Sequence, residues 1–190
     1  ETYPRTSYRA DLRTIAKRDG FTFIQGYVSN IDRETKTLSY IPSTSNEIEE
    51  TISYDLLALC QGAKPCFYGL PGVAEHGLSL KTEEDLHHIH DRVRSILKEA
   101  KTLSTDQEKK RHLAFAAVGA GPSGVEGLCS LKTYVERLCN TDEYSSLKPH
   151  LSWTLLQGGP QILPGFPLPL VKGTERTLEQ QGIAVQTGVS

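Results

Sequence analysis

The sequence predicts an α/β protein with parallel sheets and a small antiparallel meander, and three observations carry that reading. Two short apolar runs, residues 56–60 (Leu-Leu-Ala-Leu-Cys) and 113–118 (Leu-Ala-Phe-Ala-Ala-Val), have the pattern of strands covered on both faces. From residue 113 onward, strand and helix patterns alternate over 113–118, 122–138, 153–157, 170–180 and 183–187, the order of a unit whose strands lie parallel. Before residue 56, short runs rich in Thr, Tyr, Ile and Val alternate with polar turns, as hairpin-connected strands do.

In chain order, residues 9–18 place Leu12, Ile15 and Ala16 at helical spacing and stop at Gly20, a residue suited to a left-handed cap. Runs 21–25, 27–31, 37–41 and 51–54, with turns at 32–34 and 42–46, predict one strand followed by the meander. The run 56–60 ends at Gly62, and the breaker-rich stretch from there to Gly72 marks a boundary between two domains, residues 1–68 and 69–190. Thr82 is a good N-cap with Asp85 three positions on, and Leu86, Ile89, Val93, Ile96 and Leu97 form a helical stripe. Residues 101–111 are almost wholly polar and suit an exposed connector, and 140–150 read as a polar loop.

The chain of 190 residues carries 21 Lys and Arg against 23 Asp and Glu, a net charge of -2, and its basic residues are scattered. That balance argues against nucleic acid or an anionic membrane surface as a partner of this stretch. Its apolar runs are far shorter than the ~20 residues needed to span a bilayer, so no transmembrane helix is expected. With no Met and no signal pattern at Glu1, the sequence reads as an interior segment of a longer protein. Cys60, Cys66, Cys129 and Cys139 form no Cys-x-x-Cys pair, and the Cys60–Cys66 interval, which contains Pro65, matches no redox spacing. They read as structural thiols in a reducing compartment, with Cys60 and Cys129 as small hydrophobes in apolar or helical contexts.

Residues 118–124, Val-Gly-Ala-Gly-Pro-Ser-Gly, form a Gly-x-Gly-x-x-Gly between an apolar strand pattern and a helix pattern, with Gly127 three further on. Gly119 permits the tight turn, Gly121 lets a pyrophosphate approach the backbone, and Gly124 lets the helix pack close to the strand. Ala120, Pro122 and Ser123 complete the loop, and the helix N-terminus it opens presents unpaired N–H groups and a positive dipole end to the phosphates. Dinucleotide binding follows, whereas a Walker loop is excluded by the missing Gly-Lys-Ser/Thr. The fingerprint expects an acidic residue ~20 residues on, at the end of the next strand, to bind ribose hydroxyls. Here that strand ends at Gln157, set further along by the polar loop 140–150. Its neutral amide bonds a ribose without repelling a 2′-phosphate.

His87 and His90 are i, i+3 on one predicted helix, with His88 and His76 nearby, a spacing compatible with a metal site. Because they flank Leu86 and Ile89 in a core-facing stripe, a solvated face is expected and no metal is assigned. Trp153 is expected to pack within its strand, with no second aromatic beside it. Glu126 reads equally as a helix N-terminal acid favoured by the dipole there.

Longer motifs narrow the class. The stretches 54–62 (Tyr-Asp-Leu-Leu-Ala-Leu-Cys-Gln-Gly), 69–76 (Gly-Leu-Pro-Gly-Val-Ala-Glu-His) and 80–85 (Leu-Lys-Thr-Glu-Glu-Asp) are followed by 119–126 (Gly-Ala-Gly-Pro-Ser-Gly-Val-Glu) and 162–166 (Ile-Leu-Pro-Gly-Phe). In this order and spacing the chain resembles the middle of type II NADH dehydrogenases, single-subunit NADH:quinone oxidoreductases of the pyridine nucleotide-disulfide oxidoreductase superfamily. Gln61 stands where the family usually has Thr, and Cys129 where it usually has a small Gly.

The resemblance implies a Rossmann-like flavoprotein with two dinucleotide-binding domains, which passes hydride from NADH, or NADPH, to FAD and then electrons to a quinone. It implies that Gly119, Gly121 and Gly124 hold the NAD pyrophosphate, that Gln157 faces the adenosine ribose, and that Glu126 lies near the nicotinamide as the catalytic candidate. On the FAD side it points to the backbone at Val28 and to Gln61 and Gly62. The implied partners are a quinone, a second copy of the chain, and a membrane touched peripherally through segments outside these residues. The implied location is the cytoplasmic or organellar matrix side of an energy-transducing membrane. The first flavin glycine loop and the quinone segment are expected elsewhere in the protein, so residues 1–190 alone are expected to be inactive. Two alternatives stand beside this reading: a related flavoprotein that reduces a disulfide or iron–sulfur partner, and a non-catalytic dinucleotide-binding module.

Overall fold

In the computed structural model, which describes residues 10–44, 48–67 and 69–189, the first element is helix α1 (Leu12–Asp19). Its ends are closed by the residues that local chemistry favours. The Asp11 carboxylate accepts from the Arg13 N–H at 3.0 Å, and Gly20, at φ 77°, donates its N–H to the Ala16 carbonyl. Residues 21–25, expected as a strand, form none, and Phe21 and Ile24 are exposed. A strand exists only as part of a ladder, and among the described residues this stretch reaches one only at its last residue, where the Gln25 carbonyl accepts from the Ser43 N–H at 2.8 Å.

The meander follows as β1 (Gly26–Asp32), β2 (Thr37–Pro42) and β3 (Glu50–Ser53), paired antiparallel in the order β1-β2-β3. The register places Val28 opposite Tyr40 and Leu38 opposite Ile52, with a bulge between Val28 and Asn30. The first hairpin is closed by Asp32, whose Oδ1 accepts from the N–H groups of Glu34 at 2.8 Å and Thr35 at 3.0 Å. Part of the second expected turn, residues 45–46, lies outside the described residues.

The apolar run 56–60 corrects the sequence expectation most. It is irregular, and Leu56 is 91% exposed. Cys60 is exposed as well, not a small core residue. Its composition suits a covered parallel strand, but among the described residues no neighbouring strand offers the hydrogen bonds that would make it one. The chain divides into two units, Glu1–Gly62 and Ala63–Ser190.

In the second unit a short helix α2 (Val73–His76) precedes α3 (Glu83–Thr102). A reciprocal capping box starts α3: Thr82 Oγ1 accepts from the Asp85 N–H at 3.2 Å, and the Asp85 carboxylate accepts from the Thr82 N–H at 3.0 Å. These backbone bonds, from Thr82 foremost and then Lys81, hold the Asp85 carboxyl below the usual carboxylate range. Val93, Leu97 and Ala100 bury the predicted stripe, while Leu86 at its N-terminal end is exposed. The polar stretch 101–111 is not a bare connector. It contains α4 (Asp106–His112), started by a second capping box between Thr105 and Glu108 that was present in the sequence as Thr-x-x-Glu.

The remaining elements are β4 (Ala114–Val118), α5 (Pro122–Cys139), a 3₁₀ turn (Ser145–His150), β5 (Ser152–Gln157), α6 (Leu168–Gln180) and β6 (Ile183–Thr187). The 3₁₀ turn lies within the expected polar loop, and the reason is apolar: Tyr144 and Leu147 are buried against the core. The strands run parallel in the order β4-β5-β6. Both crossovers step in one direction, so right-handed connection puts α5 and α6 on the same face of the sheet.

The burial pattern agrees. Phe115, Ala117, Trp153, Leu155, Ile183 and Val185 pack toward the helices, whereas Ala114, Ala116 and Val118 are exposed on the other face. Strand 113–118 is therefore covered on one face only, in contrast to the two-sided cover its composition predicted. Leu97, Leu113, Leu128, Leu155, Ile162 and Leu178 are fully buried, each contributing about 1.5–3 kcal/mol from removal of apolar surface from water. Trp153 packs in this core as expected, but an aromatic does stand beside it: the Phe115 ring stacks at 4.7 Å, brought opposite by the parallel register.

Candidate functional site

The site is built where β4 ends and α5 begins. Gly119 continues the ladder one step past β4, its N–H donating to the Leu156 carbonyl at 2.8 Å, and then turns the chain at φ 96°, a region glycine enters without a Cβ penalty. The next N–H, that of Ala120, donates to Gln157 Oε1 at 2.8 Å. Since that backbone group is a donor, the Gln157 atom facing it is the carbonyl oxygen. The Ala120 carbonyl in turn accepts from the Leu163 N–H at 2.7 Å. Three backbone groups of the loop are thus tied to β5 and to the turn that follows it.

The glycines have different reasons to be there. A Cβ at Gly124 would lie 1.8 Å from the Gly119 carbonyl oxygen, so the first turn of α5 reaches the loop only because that atom is missing. A Cβ at Gly121 would meet nothing within 4 Å, and its backbone, φ -71° and ψ 177°, is open to any residue. The chain's own packing does not require glycine at 121.

Pro122 occupies the first turn of α5, and the N–H groups of Gly121, Ser123 and Gly124 find no hydrogen-bond partner among the described residues. No acidic residue sits in that turn. The arrangement is an uncompensated positive helix end with donors facing open space, which suits a phosphate. Glu126 is exposed one step beyond the first turn, and its side chain makes no hydrogen bond or ion pair among the described residues. Gln157 is half-buried at the end of β5, and Gly159 leaves its amide room, since a Cβ there would sit 3.2 Å from Nε2.

The loop residues, Glu126 and Gln157 all belong to the second unit; Val28, Gln61 and Gly62 belong to the first. Val28 lies exposed beside the β1 bulge, and Gln61 and Gly62 are exposed in the irregular stretch after the meander. Sequence reasoning missed the structural part played by Leu163. That residue has φ 48°, a left-handed conformation that costs a non-glycine residue about 1–3 kcal/mol, and nothing in its residue type announces it.

The histidines do not all lie on a solvated face. His87 pairs with Glu83 at 3.5 Å, but the His90 ring stacks on Tyr134 at 4.3 Å between α3 and α5, and burial pushes its pKa down. No group of three His, Cys, Asp or Glu side chains that could hold a metal occurs among the described residues. The four cysteines are free, and burial pushes up the thiols of Cys129 and Cys139. No described helix is long and apolar enough to cross a membrane.

A strand, a glycine loop tied to the neighbouring strand, and a helix with free N-terminal donors define a dinucleotide-binding unit of the Rossmann type. The chain belongs to the pyridine nucleotide-disulphide oxidoreductase family, which it matches over residues 5–190. It is 30% identical over 183 residues to the external alternative NAD(P)H-ubiquinone oxidoreductase B4, mitochondrial, of Arabidopsis thaliana, across 93% of this chain and 31% of that protein. Against the external NADH-ubiquinone oxidoreductase 2, mitochondrial, of Saccharomyces cerevisiae the identity is 27%, over 94% of this chain and 33% of that protein. The chain spans about a third of the length of these curated relatives. Among solved structures it resembles NDH2 from Plasmodium falciparum in complex with NADH, with TM-score 0.72 and 24% identity over 94% of this chain and 36% of that one, which shows the fold.

Proposed function

We propose that this chain is part of a flavin-dependent NAD(P)H oxidoreductase that passes hydride from NADH or NADPH to FAD and electrons onward to a quinone. The observation that carries the reading is the loop 119–124: it leaves the N–H groups of Gly121, Ser123 and Gly124 free, omits a side chain at Gly121 that its own packing would allow, and places no acid in the first turn of α5. The curated relatives, named as NAD(P)H- or NADH-ubiquinone oxidoreductases, support the nicotinamide nucleotide and the quinone.

In this reading residues 69–190 bind NAD(P)H and residues 1–68 belong to the flavin side. Gly119, Ala120, Gly121, Pro122, Ser123 and Gly124 receive the pyrophosphate, and Gln157 borders the adenosine ribose. Val28 and the Gln61–Gly62 backbone border FAD, for which their exposure leaves room. FAD, when bound, supplies the hydride acceptor and the route to single-electron acceptors; the protein groups position the nicotinamide against it. The relatives' mitochondrial naming supports an organellar protein held peripherally at an energy-transducing membrane, which carbonate extraction of membranes carrying the full-length protein would test by releasing it.

The decisive experiment is a visible spectrum of the full-length protein. Flavin bands that bleach with NADH and return on addition of a short-chain ubiquinone are expected; a protein without flavin, or with flavin that NADH leaves oxidised, overturns the reading. Within it, Glu126 orients the nicotinamide ring or carboxamide with its unpaired carboxylate. Glu126→Gln is expected to slow flavin reduction in stopped flow by roughly tenfold while changing the NADH dissociation constant less. Unchanged reduction rates would return Glu126 to a solvated helix acid.

A further inference from the structure

We propose that Leu163 is a positioning residue for dinucleotide binding, its backbone amide fixing the direction in which the Gly121 N–H meets the pyrophosphate. The inference rests on the reading of loop 119–124 as the NAD(P)H site and names a residue that acts on it from outside the glycine motif.

Leu163 and Lys36 are the non-glycine residues with positive φ among the described residues. Lys36 sits in the first hairpin turn of the meander, where such a conformation is ordinary. Leu163 has no such excuse: it is a bulky residue 6% exposed, preceded by the fully buried Ile162 and followed by Pro164. Residues before proline favour extended backbone, so the conformation opposes both its own side chain and its neighbour. Burial of Ile162 and Leu163 in the core holds it there, and the Phe166 N–H closes the turn on the Leu163 carbonyl at 3.1 Å.

What the strained conformation achieves is one bond, from the Leu163 N–H to the Ala120 carbonyl at 2.7 Å. All described peptide bonds are trans, and in a trans peptide the carbonyl and the following N–H point in opposite directions. Drawing the Ala120 carbonyl toward Leu163 therefore turns the Gly121 N–H away from it. Gly121 has open space where a side chain would stand, and its N–H has no partner among the described residues.

Without this bond the Ala120–Gly121 peptide is the freest in the loop, because glycine on its far side removes most of the barrier to a flip. A flip would present a carbonyl oxygen, in place of a donor, to the phosphates. The peptide before it is already held by Gln157 through the Ala120 N–H. Leu163 thus locks the peptide plane next to the one that Gln157 holds.

The test uses the full-length protein with the Leu163 amide replaced by an ester through incorporation of the α-hydroxy analogue of leucine, which deletes the N–H and keeps the side chain. Binding of ADP-ribose, which carries the pyrophosphate, is measured by calorimetry beside the melting temperature and the limiting rate of flavin reduction at saturating NADH. The expected result is ADP-ribose binding about tenfold weaker, with the limiting rate and melting temperature nearly unchanged, the size expected for loss of one hydrogen bond that orients a charged contact. Unchanged ADP-ribose affinity overturns the proposal, and so does a loss of affinity that comes with an equal loss of folding. Wild-type protein that fails to bind ADP-ribose at all overturns instead the NAD(P)H reading beneath it. Should the ester protein not fold, hydrogen exchange of the wild type decides. The Leu163 amide must be protected without nucleotide, and the Gly121 amide must exchange freely until ADP-ribose slows it. A Leu163 amide that exchanges at the free-peptide rate overturns the proposal.

Discussion

Replacing Gly124 by alanine in the full-length protein is expected to abolish measurable NADH binding and lower kcat/KM by about a hundredfold or more, some 2.7 kcal/mol of transition-state stabilisation. The new Cβ would lie 1.8 Å from the Gly119 carbonyl oxygen, a backbone atom that cannot rotate aside. Relief requires moving the start of α5 away from β4 or re-forming the loop, and either displaces the donors that face the phosphates. Overpacking of this kind also costs about 1–3 kcal/mol of folding stability, so the melting temperature should fall. Gly121→Ala is the matched control. Its Cβ meets nothing and its backbone is unstrained, so the melting temperature should hold while NADH binding weakens. Calorimetric melting and NADH titration of both variants check this. Wild-type affinity in Gly124→Ala would show that the helix does not need its close approach to the loop.

The second large effect concerns cofactor choice. Gln157→Glu is expected to make an enzyme that tolerates NADPH reject it, by about 1–3 kcal/mol, which is roughly fivefold to more than a hundredfold in kcat/KM. The substitution keeps the acceptor oxygen that holds the Ala120 N–H, so the loop geometry survives while a negative charge is added beside the ribose. No Lys or Arg follows in Gly158-Gly159-Pro160-Gln161 to clamp a 2′-phosphate, so the wild type is expected to tolerate NADPH and not to prefer it. Ratios of kcat/KM for the two nucleotides in both proteins are the measurement. A wild type that already rejects NADPH by about a hundredfold, or a ratio that the mutation leaves in place, removes Gln157 from the ribose.

Much of this molecule is local physics and was legible in the sequence by itself. The Gly20 cap, the Thr82–Asp85 capping box, the Asp32 turn and the strand-loop-helix around Gly119, Gly121 and Gly124 each depend on residues within a few positions of one another, whose spacing is visible along the chain. The tertiary structure decided whatever depends on a partner distant in sequence. Residues 56–60 have the composition of a covered strand and are exposed, because a strand needs a ladder that composition cannot supply. Residues 113–118 read as buried on both faces, yet the order β4-β5-β6 sends both helices to one side and leaves Ala114, Ala116 and Val118 open. The bonds that orient the candidate site, Gln157 to the Ala120 N–H and Leu163 to the Ala120 carbonyl, join residues that only folding brings together. Glycine motifs specify that a loop can turn and be approached; the direction in which its amides point is set by the strand and the strained turn packed against it.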